Sequence, residues 1–333
     1  MAPILRLRRR AAKAGPASRG RWFFDFDDVR YPLFDASVKL AARDEVYRTV
    51  HTVLHENLSL GQLLKSDFVV VNALLANYYG LDGVTGNDFR KVKLPPDSKR
   101  GGLLGMAAVL AMGSDGERTS PVERGAWVLR KLLNQPPPPA PPNVPQLSRL
   151  TAGKIYSARE LLAAHQEQAQ CAQCHRKIDP VGFALENFDA VGIWRTQETI
   201  ELATPRLAQS PPKVLQSKSF PIDASGRMSD GTPISGYDGL RDLVAGRLDA
   251  FARGLVEALT VYGLGRPLSF LDEEFLQSVL AETKGGSYRL ADLIHAIVQS
   301  SKFQTKAGGP AATRRAHRSP VSTSGQPEAS GSP

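Results

Sequence analysis

The sequence predicts a mainly α-helical protein built of several modules, with at most a small β-hairpin. Apolar residues recur at helical spacing in several stretches, of which the first spans residues 35–64. Strand-like alternation is rare along the chain. The proline-rich run at 136–145 separates an N-terminal from a C-terminal group of helical patterns. Because proline fixes φ and lacks an amide donor, this run predicts an extended polyproline II spacer that joins two packed units.

The first part of the chain contains three apolar segments. We expect one or two helices over 35–64 and a short core helix at 103–112. The run FVVVNALLANYY at 68–79 is compatible with a strand or a helix by its apolarity alone. Its length and its Ala, Leu and Asn content favour a helix, which Gly80 would end.

A strong helix start lies just before the proline-rich run. Ser120 is a suitable N-cap, Pro121 suits the first helical position, and Glu123 stands where it closes a capping box. We expect this helix to extend to about Leu133. Past the spacer, helical periodicity resumes at Ser157 and leads directly into the two cysteines of the chain.

The C-terminal part combines a turn-rich segment with further helices. Alternating apolar and turn residues at 220–236 predict a small hairpin or an ordered loop. Helical patterns then follow at 240–248, 251–264 and 290–303. A tail rich in Gly, Ser, Pro and Thr ends the chain, and we expect it to be disordered.

The basic charge is concentrated at the two ends of the chain. The formal net charge is +9, with +7 in residues 1–21 and +3 in residues 306–333, so the body between them is near −1. A near-neutral body offers no continuous cationic groove for phosphates, which argues against nucleic-acid binding. No stretch of about 18 apolar residues occurs, so we predict no transmembrane segment.

The sequence CAQCH at 171–175 is the motif that carries chemistry. Two cysteines separated by two residues allow both thiols to form thioethers to a porphyrin, and the adjacent histidine ligates the iron from one side. Cys171 and Cys174 are the only cysteines in the sequence. The motif therefore predicts one covalently attached haem c with His175 as the proximal ligand, at the end of a helix.

Two other chemistries use a Cys-x-x-Cys pair, namely a zinc site and a redox dithiol. A structural zinc site needs four protein ligands, and the sequence has no second cysteine pair and no dense histidine cluster nearby. A thioredoxin-like dithiol needs a βαβ setting, which the helical pattern does not predict. The haem interpretation is favoured, and both alternatives stay open at this point.

The second axial ligand decides what such a haem does. A methionine raises the potential and suits electron transfer, whereas an empty position permits small-molecule or peroxide chemistry. Met228 lies 53 residues after His175 in a polar turn and is the favoured distal candidate. Met112 is a weaker candidate. We expect His165 to be a surface or propionate-side residue, and His295 to be a satisfied core histidine.

Three long phrases around the motif are distinctive. They are RTSPVERGAWVLRKLLNQPPPPAPPNVP, CAQCHRKIDPVGFALENFDAVGIWR and FPIDASGRMSDGTPISGYDGLRDL, in this order. They resemble planctomycete-type cytochrome-c-associated secreted proteins, which carry serial domains of unknown function numbered 1592, 1588 and 1585. The resemblance covers about residues 23–303 and begins inside the first module, which implies a series truncated at its N-terminus. It places haem attachment on Cys171, Cys174 and His175, and it gives no support for Met228 as a ligand.

These features together suggest a division of the chain. We expect a basic disordered tail at 1–21, the C-terminal part of a helical domain at 22–97, a haem-attachment domain at 98–199 that includes the Pro-rich segment 136–145, an insertion at 200–219, a C-terminal helical module at 220–304, and a disordered tail at 305–333.

Three functions are compatible with the sequence. The first is electron transfer by a c-type cytochrome-like protein of the cell envelope, with an unknown redox partner. The alternatives are a haem-bearing scaffold or interaction protein, and a haem-dependent oxidoreductase subunit linked to polysaccharide or sugar oxidation. We favour an electron carrier over a stand-alone enzyme. Covalent haem implies a periplasmic or otherwise extracytoplasmic location, although residues 1–21 lack the apolar run of a signal peptide.

Overall fold

The computed structural model describes residues 26–139, 150–151, 154–203 and 214–305. Over these residues the chain forms twelve α-helices and four two-stranded antiparallel sheets. The prediction of a mainly α protein is confirmed, and small hairpins are more numerous than the sequence suggested. The predicted basic tail, residues 140–145 of the proline-rich segment and residues 306–333 lie outside the described residues.

The first half of the chain consists of helices and one hairpin that encloses a short helix. Its elements are α1 (Ala36–His55), α2 (Gly61–Leu64), β1 (Phe68–Val71), α3 (Ala73–Tyr78), β2 (Arg90–Lys93), a 3₁₀ turn (Leu103–Gly105), α4 (Ala107–Met112) and α5 (Pro121–Lys131). The prediction of a single helix over 68–79 is wrong for the residues of β1. Consecutive valines favour the extended strand, and the Asn72 side chain starts α3 by accepting a hydrogen bond from the Leu75 amide at 3.0 Å.

The second half alternates small hairpins with helices. Its elements are β3 (Leu150–Thr151), β4 (Lys154–Ile155), α6 (Ala158–His165), α7 (Ala169–Phe183), β5 (Gln197–Ala203), β6 (Val214–Pro221), β7 (Ser225–Arg227), β8 (Pro233–Ser235), α8 (Gly236–Gly246), α9 (Leu248–Leu264), a 3₁₀ turn (Phe270–Asp272), α10 (Glu273–Lys284), α11 (Leu290–Gln299) and α12 (Ser301–Gln304).

Several predictions for this half can be compared with the structure. The segment interpreted as an insertion, 200–219, belongs to the antiparallel β5–β6 hairpin, except for residues 204–213, which are not described. The hairpin expected within 220–236 is β7–β8. Helix α10 was not predicted. In the part of the chain that the structure describes, no helix is both long and apolar enough to cross a membrane.

Side-chain caps fix the starts of α5 and α6. The Ser120 hydroxyl accepts a hydrogen bond from the Glu123 amide at 3.3 Å, as the sequence predicted. The predicted capping box is not completed, because the Ser120 amide donates to the Gly113 carbonyl oxygen at 2.9 Å. Helix α5 ends two residues before Leu133. The Ser157 hydroxyl and the Glu160 carboxylate form a complete capping box at α6. Helix α6 ends at His165, and α7 begins at Ala169, so a short turn joins the two helices.

One large hydrophobic core is shared by segments on both sides of the proline-rich run. Buried members include Val53 of α1, Val128 of α5, Val181 of α7, Leu240 of α8 and Val256 of α9. A smaller core lies between α1, β1, α3 and α4 and includes the segment after α7. The helices before and after the proline-rich run therefore depend on the same apolar burial for their stability, so the run does not join two separately packed units as expected.

Helices α5 and α7 cross with their backbones in contact. A Cβ atom on Gly125 would collide with the carbonyl oxygen of Ile178, and one on Gly182 would collide with the carbonyl oxygen of Pro121. Only glycine allows this approach at either position. The crossing fixes α7, the helix that carries the cysteine motif, against α5.

A buried arginine reinforces the same crossing. The Arg124 side chain is 2% exposed and donates hydrogen bonds to the carbonyl oxygens of Leu185 at 2.8 Å, Phe188 at 2.6 Å and Leu110 at 3.2 Å. Burial lowers the pKa of Arg124 to about 10, so the guanidinium stays charged at neutral pH, with the Glu186 carboxylate 3.5 Å away. The backbone carbonyl groups that follow α7 thus accept hydrogen bonds from a residue of α5.

Alanine at Gly182 is expected to lower the free energy of unfolding by about 1–3 kcal/mol, because the added methyl group overpacks the α5–α7 contact. Chemical denaturation followed by circular dichroism measures the change. Gly246→Ala is the matched control, since a Cβ atom there meets nothing within 4 Å, and it should shift stability by less than about 1 kcal/mol. Equal stabilities of the two variants would contradict the close crossing.

Candidate functional site

The three side chains predicted to hold a haem lie in the first two turns of α7. Cys171 is the third residue of this helix, and Cys174 and His175 follow at the i+3 and i+4 positions. Residues at this spacing are neighbours on one helix face. Both thiols are free and half-buried. The motif therefore lies at the N-terminal end of a helix, in line with the predicted helix-end position.

The imidazole of His175 is held by a buried carboxylate on the same helix. His175 Nδ1 lies 2.9 Å from Asp179 Oδ1 and 3.1 Å from Oδ2, and the Asp179 side chain is fully buried. The Gln166 amide donates a second hydrogen bond to Asp179 Oδ2 at 2.9 Å. With Nδ1–H donating to Asp179, the lone pair of His175 is on Nε2, the nitrogen left for a metal.

Asp179 and Gln166 were missed by the sequence analysis. Asp179 follows His175 by four residues, a spacing that places two side chains together on a helix. The pair was therefore visible in the sequence, provided that the helix was recognised as running through the motif. Gln166 gave no such signal, because its contact depends on how the turn between α6 and α7 folds.

His165 ends α6, and its ring lies against the ring of His175. The two ring centroids are 4.8 Å apart, with the rings nearly perpendicular. Burial lowers the pKa of His165, and a charge on His175 would lower it further. His165, which was expected to be a surface or propionate-side residue, is half-buried, and its ring contacts that of His175.

Met228 lies between β7 and β8, where its amide donates to the Thr232 carbonyl at 2.8 Å. Although the turn is polar, the Met228 side chain is only 6% exposed and belongs to the large hydrophobic core, against which Cys174 packs. The structure thus places Met228 and Cys174 in one apolar cluster. The assignment of Met228 as the distal haem ligand stays a prediction.

Met112 and His295 were the two further candidates considered. Met112 is partly buried against the large core at the end of α4. His295 was expected to be a core histidine, but its side chain is on the exposed face of α11, while Leu293 and Ala296 face inwards. The buried face of α11 is formed by its aliphatic residues.

The surroundings of the thiols bear on the alternative chemistries. Among the described residues, no group of three or more His, Cys, Asp or Glu side chains is placed to hold a metal ion, so the zinc alternative gains no ligand set there. The sheets of this same part are all two-stranded and antiparallel, so no βαβ unit frames Cys171 and Cys174. A haem c needs two thiols and one imidazole nitrogen from the protein, and this helix face supplies those donors.

Comparison with protein families gives three matches in series. Residues 20–81 match a protein of unknown function, DUF1592, residues 100–198 match DUF1588, and residues 230–303 match DUF1585. No curated protein and no solved structure matches the chain. The order of the three models is the order that the sequence phrases predicted, and the DUF1588 segment contains α5, α6 and α7.

Proposed function

The chain carries the planctomycete-type series of modules DUF1592, DUF1588 and DUF1585, and on this premise we propose that it is a haem c protein that transfers electrons. The observation that carries the proposal is the arrangement at the start of α7. There, the free thiols of Cys171 and Cys174 lie beside the imidazole of His175, whose Nδ1 is hydrogen-bonded to Asp179. All three donors belong to the DUF1588 segment.

The residues of this helix face would divide the work of holding the cofactor. Cys171 and Cys174 would each add across a vinyl group of the porphyrin, with a new S–C bond formed and the thiol proton transferred to the neighbouring vinyl carbon. His175 Nε2 would ligate the iron. A bound haem would supply a one-electron Fe(III)/Fe(II) couple. Cys174 packs against the large core, so apolar side chains would exclude water from the attached side.

The same chemistry suggests where the protein works. Thioether formation needs both cysteines reduced when the haem is delivered, and the whole cysteine content of the sequence is in this motif. We place the protein in the periplasm or an equivalent extracytoplasmic compartment, where c-type haem is attached. Its redox partner is unknown.

Covalent attachment is directly testable. The chain, fused to a secretion signal and expressed with c-type maturation machinery, should retain haem through denaturing electrophoresis, as shown by haem staining. A Cys171→Ser, Cys174→Ser double variant should lose the stained band. Gln173→Ala is the matched control, because this exposed residue lies between the two cysteines and supplies no thiol. An unstained wild-type band, beside an efficiently matured control cytochrome, would overturn the proposal.

The distal ligand is tested by a second pair of variants. Met228→Leu nearly conserves side-chain volume in the core, so it should fold with a cost below about 1.5 kcal/mol. If Met228 ligates the iron, as the sequence predicts, the weak absorption band associated with sulfur-to-iron ligation should disappear in this variant and persist in His165→Ala. Persistence of the band in Met228→Leu, or a wild-type spectrum without it, would remove Met228 from the site.

A further inference from the structure

A fully buried carboxylate lies directly behind the imidazole of His175. Asp179 is 0% exposed, its two oxygens lie 2.9 and 3.1 Å from His175 Nδ1, and Oδ2 also accepts from the Gln166 amide. Metal-bound histidines donate Nδ1–H either to neutral backbone carbonyls or to carboxylates. The choice matters because only the carboxylate brings a negative charge to the ligand.

We propose that Asp179 is a positioning residue that sets the reduction potential of the haem iron, holding it lower than a neutral hydrogen-bond acceptor would. This inference rests on the proposed haem c function. Asp179 acts through His175 and does not touch the iron itself. The structure thereby assigns to the DUF1588 segment a residue, Asp179, that adjusts the reduction potential of the bound haem.

The direction of the effect follows from charge. Reduction adds one electron to Fe(III) and gives Fe(II), so the oxidised iron carries one more positive charge. A negative carboxylate bonded to Nδ1–H increases the electron donation of the imidazole and stabilises the more highly charged ferric state. The effect is strong where water is excluded, since a low local dielectric strengthens electrostatic interactions.

The hydrogen bonds indicate that Asp179 accepts with both oxygens. The Gln166 side-chain nitrogen is a donor, and Nδ1 of an imidazole that ligates iron through Nε2 must carry the proton. An ionised carboxylate accepts at both positions, whereas a protonated one would use one oxygen as a donor. The geometry therefore matches the charged form on which the proposal depends.

Two elements hold this carboxylate in place. Asp179 belongs to the part of α7 that is packed against α5, between the contact residues Ile178 and Gly182. Gln166 follows α6, which is anchored by Arg159 through hydrogen bonds to the carbonyl oxygens of Asp223 at 2.7 Å and Ser225 at 2.6 Å. The Asp179 carboxylate is therefore held by the packing of α7 on α5 and by Gln166, so its position relative to His175 is fixed.

The test is a spectroelectrochemical titration of the haem-loaded, full-length protein. Asp179→Asn removes the charge and keeps an oxygen acceptor for Nδ1–H, and the Gln166 amide can rotate to accept from the new NH₂ group. The midpoint potential should rise relative to wild type, with haem still covalently attached. Asp179→Glu, which keeps the charge, should lie closer to wild type. Asp82→Asn, a charge removal at an exposed loop position, is the matched control.

The outcomes separate this inference from the function on which it rests. Haem missing from the wild-type band would overturn the haem c proposal itself. Haem present, with Asp179→Asn no higher in potential than Asp82→Asn, would overturn only the role of Asp179.

If the Asp179→Asn variant does not fold, a measurement on the wild-type protein tests the proposal instead. The resonance Raman iron–imidazole stretching frequency, recorded after photolysis of the ferrous carbon monoxide complex, rises as the imidazole gains anionic character. A frequency typical of a histidine bonded to a backbone carbonyl would contradict the proposal, and a higher frequency would support it.

Discussion

The crossing of α5 and α7 is the constraint on which the rest of the molecule depends. Gly125 and Gly182 allow the two backbones to touch, and the Arg124 guanidinium binds carbonyl groups of the chain that leaves α7. The arginine reaches those carbonyls because the two helices are in contact. The crossing joins the sequence phrases before and after the proline-rich run.

The candidate site uses the rigidity that this crossing provides. The C-terminal half of α7 is packed on α5, and Asp179 projects from that half towards His175, one turn closer to the N-terminus. Gln166 fixes the carboxylate from the end of α6. The orientation of the His175 imidazole is thus determined by its hydrogen bonds to Asp179, which is held by Gln166 and by the packing of α7 on α5. The thiols of Cys171 and Cys174 lie beside this imidazole.

Local signals in the sequence were sufficient for part of this result. The spacing of the cysteine motif and the cap at Ser120 depend on neighbouring residues, so they could be recognised directly. The strand character of β1 was missed because an apolar run of this length suits either element, and its pairing with β2 is decided by residues some twenty positions away.

Arg124 illustrates what sequence patterns leave out. A charged residue in the first turns of a helix is expected at the surface, and its burial depends on carbonyl groups about 60 residues further along. Asp179 was accessible in principle through its helical spacing to His175, but its complete burial and its second partner, Gln166, follow only from tertiary structure.

The unequal anchoring of α7 has a consequence for the order of assembly. Its N-terminus has no side-chain cap at Gln168, and both thiols in its first two turns are half-buried, whereas the residues around Gly182 are packed against α5. Helix ends open locally at low cost, while elements packed in a core open only with global unfolding. The end of α7 that carries Cys171 and Cys174 can therefore open while the core packing around Gly182 stays intact. For the proposed haem c function, this would allow cofactor attachment and core folding to occur at separate times.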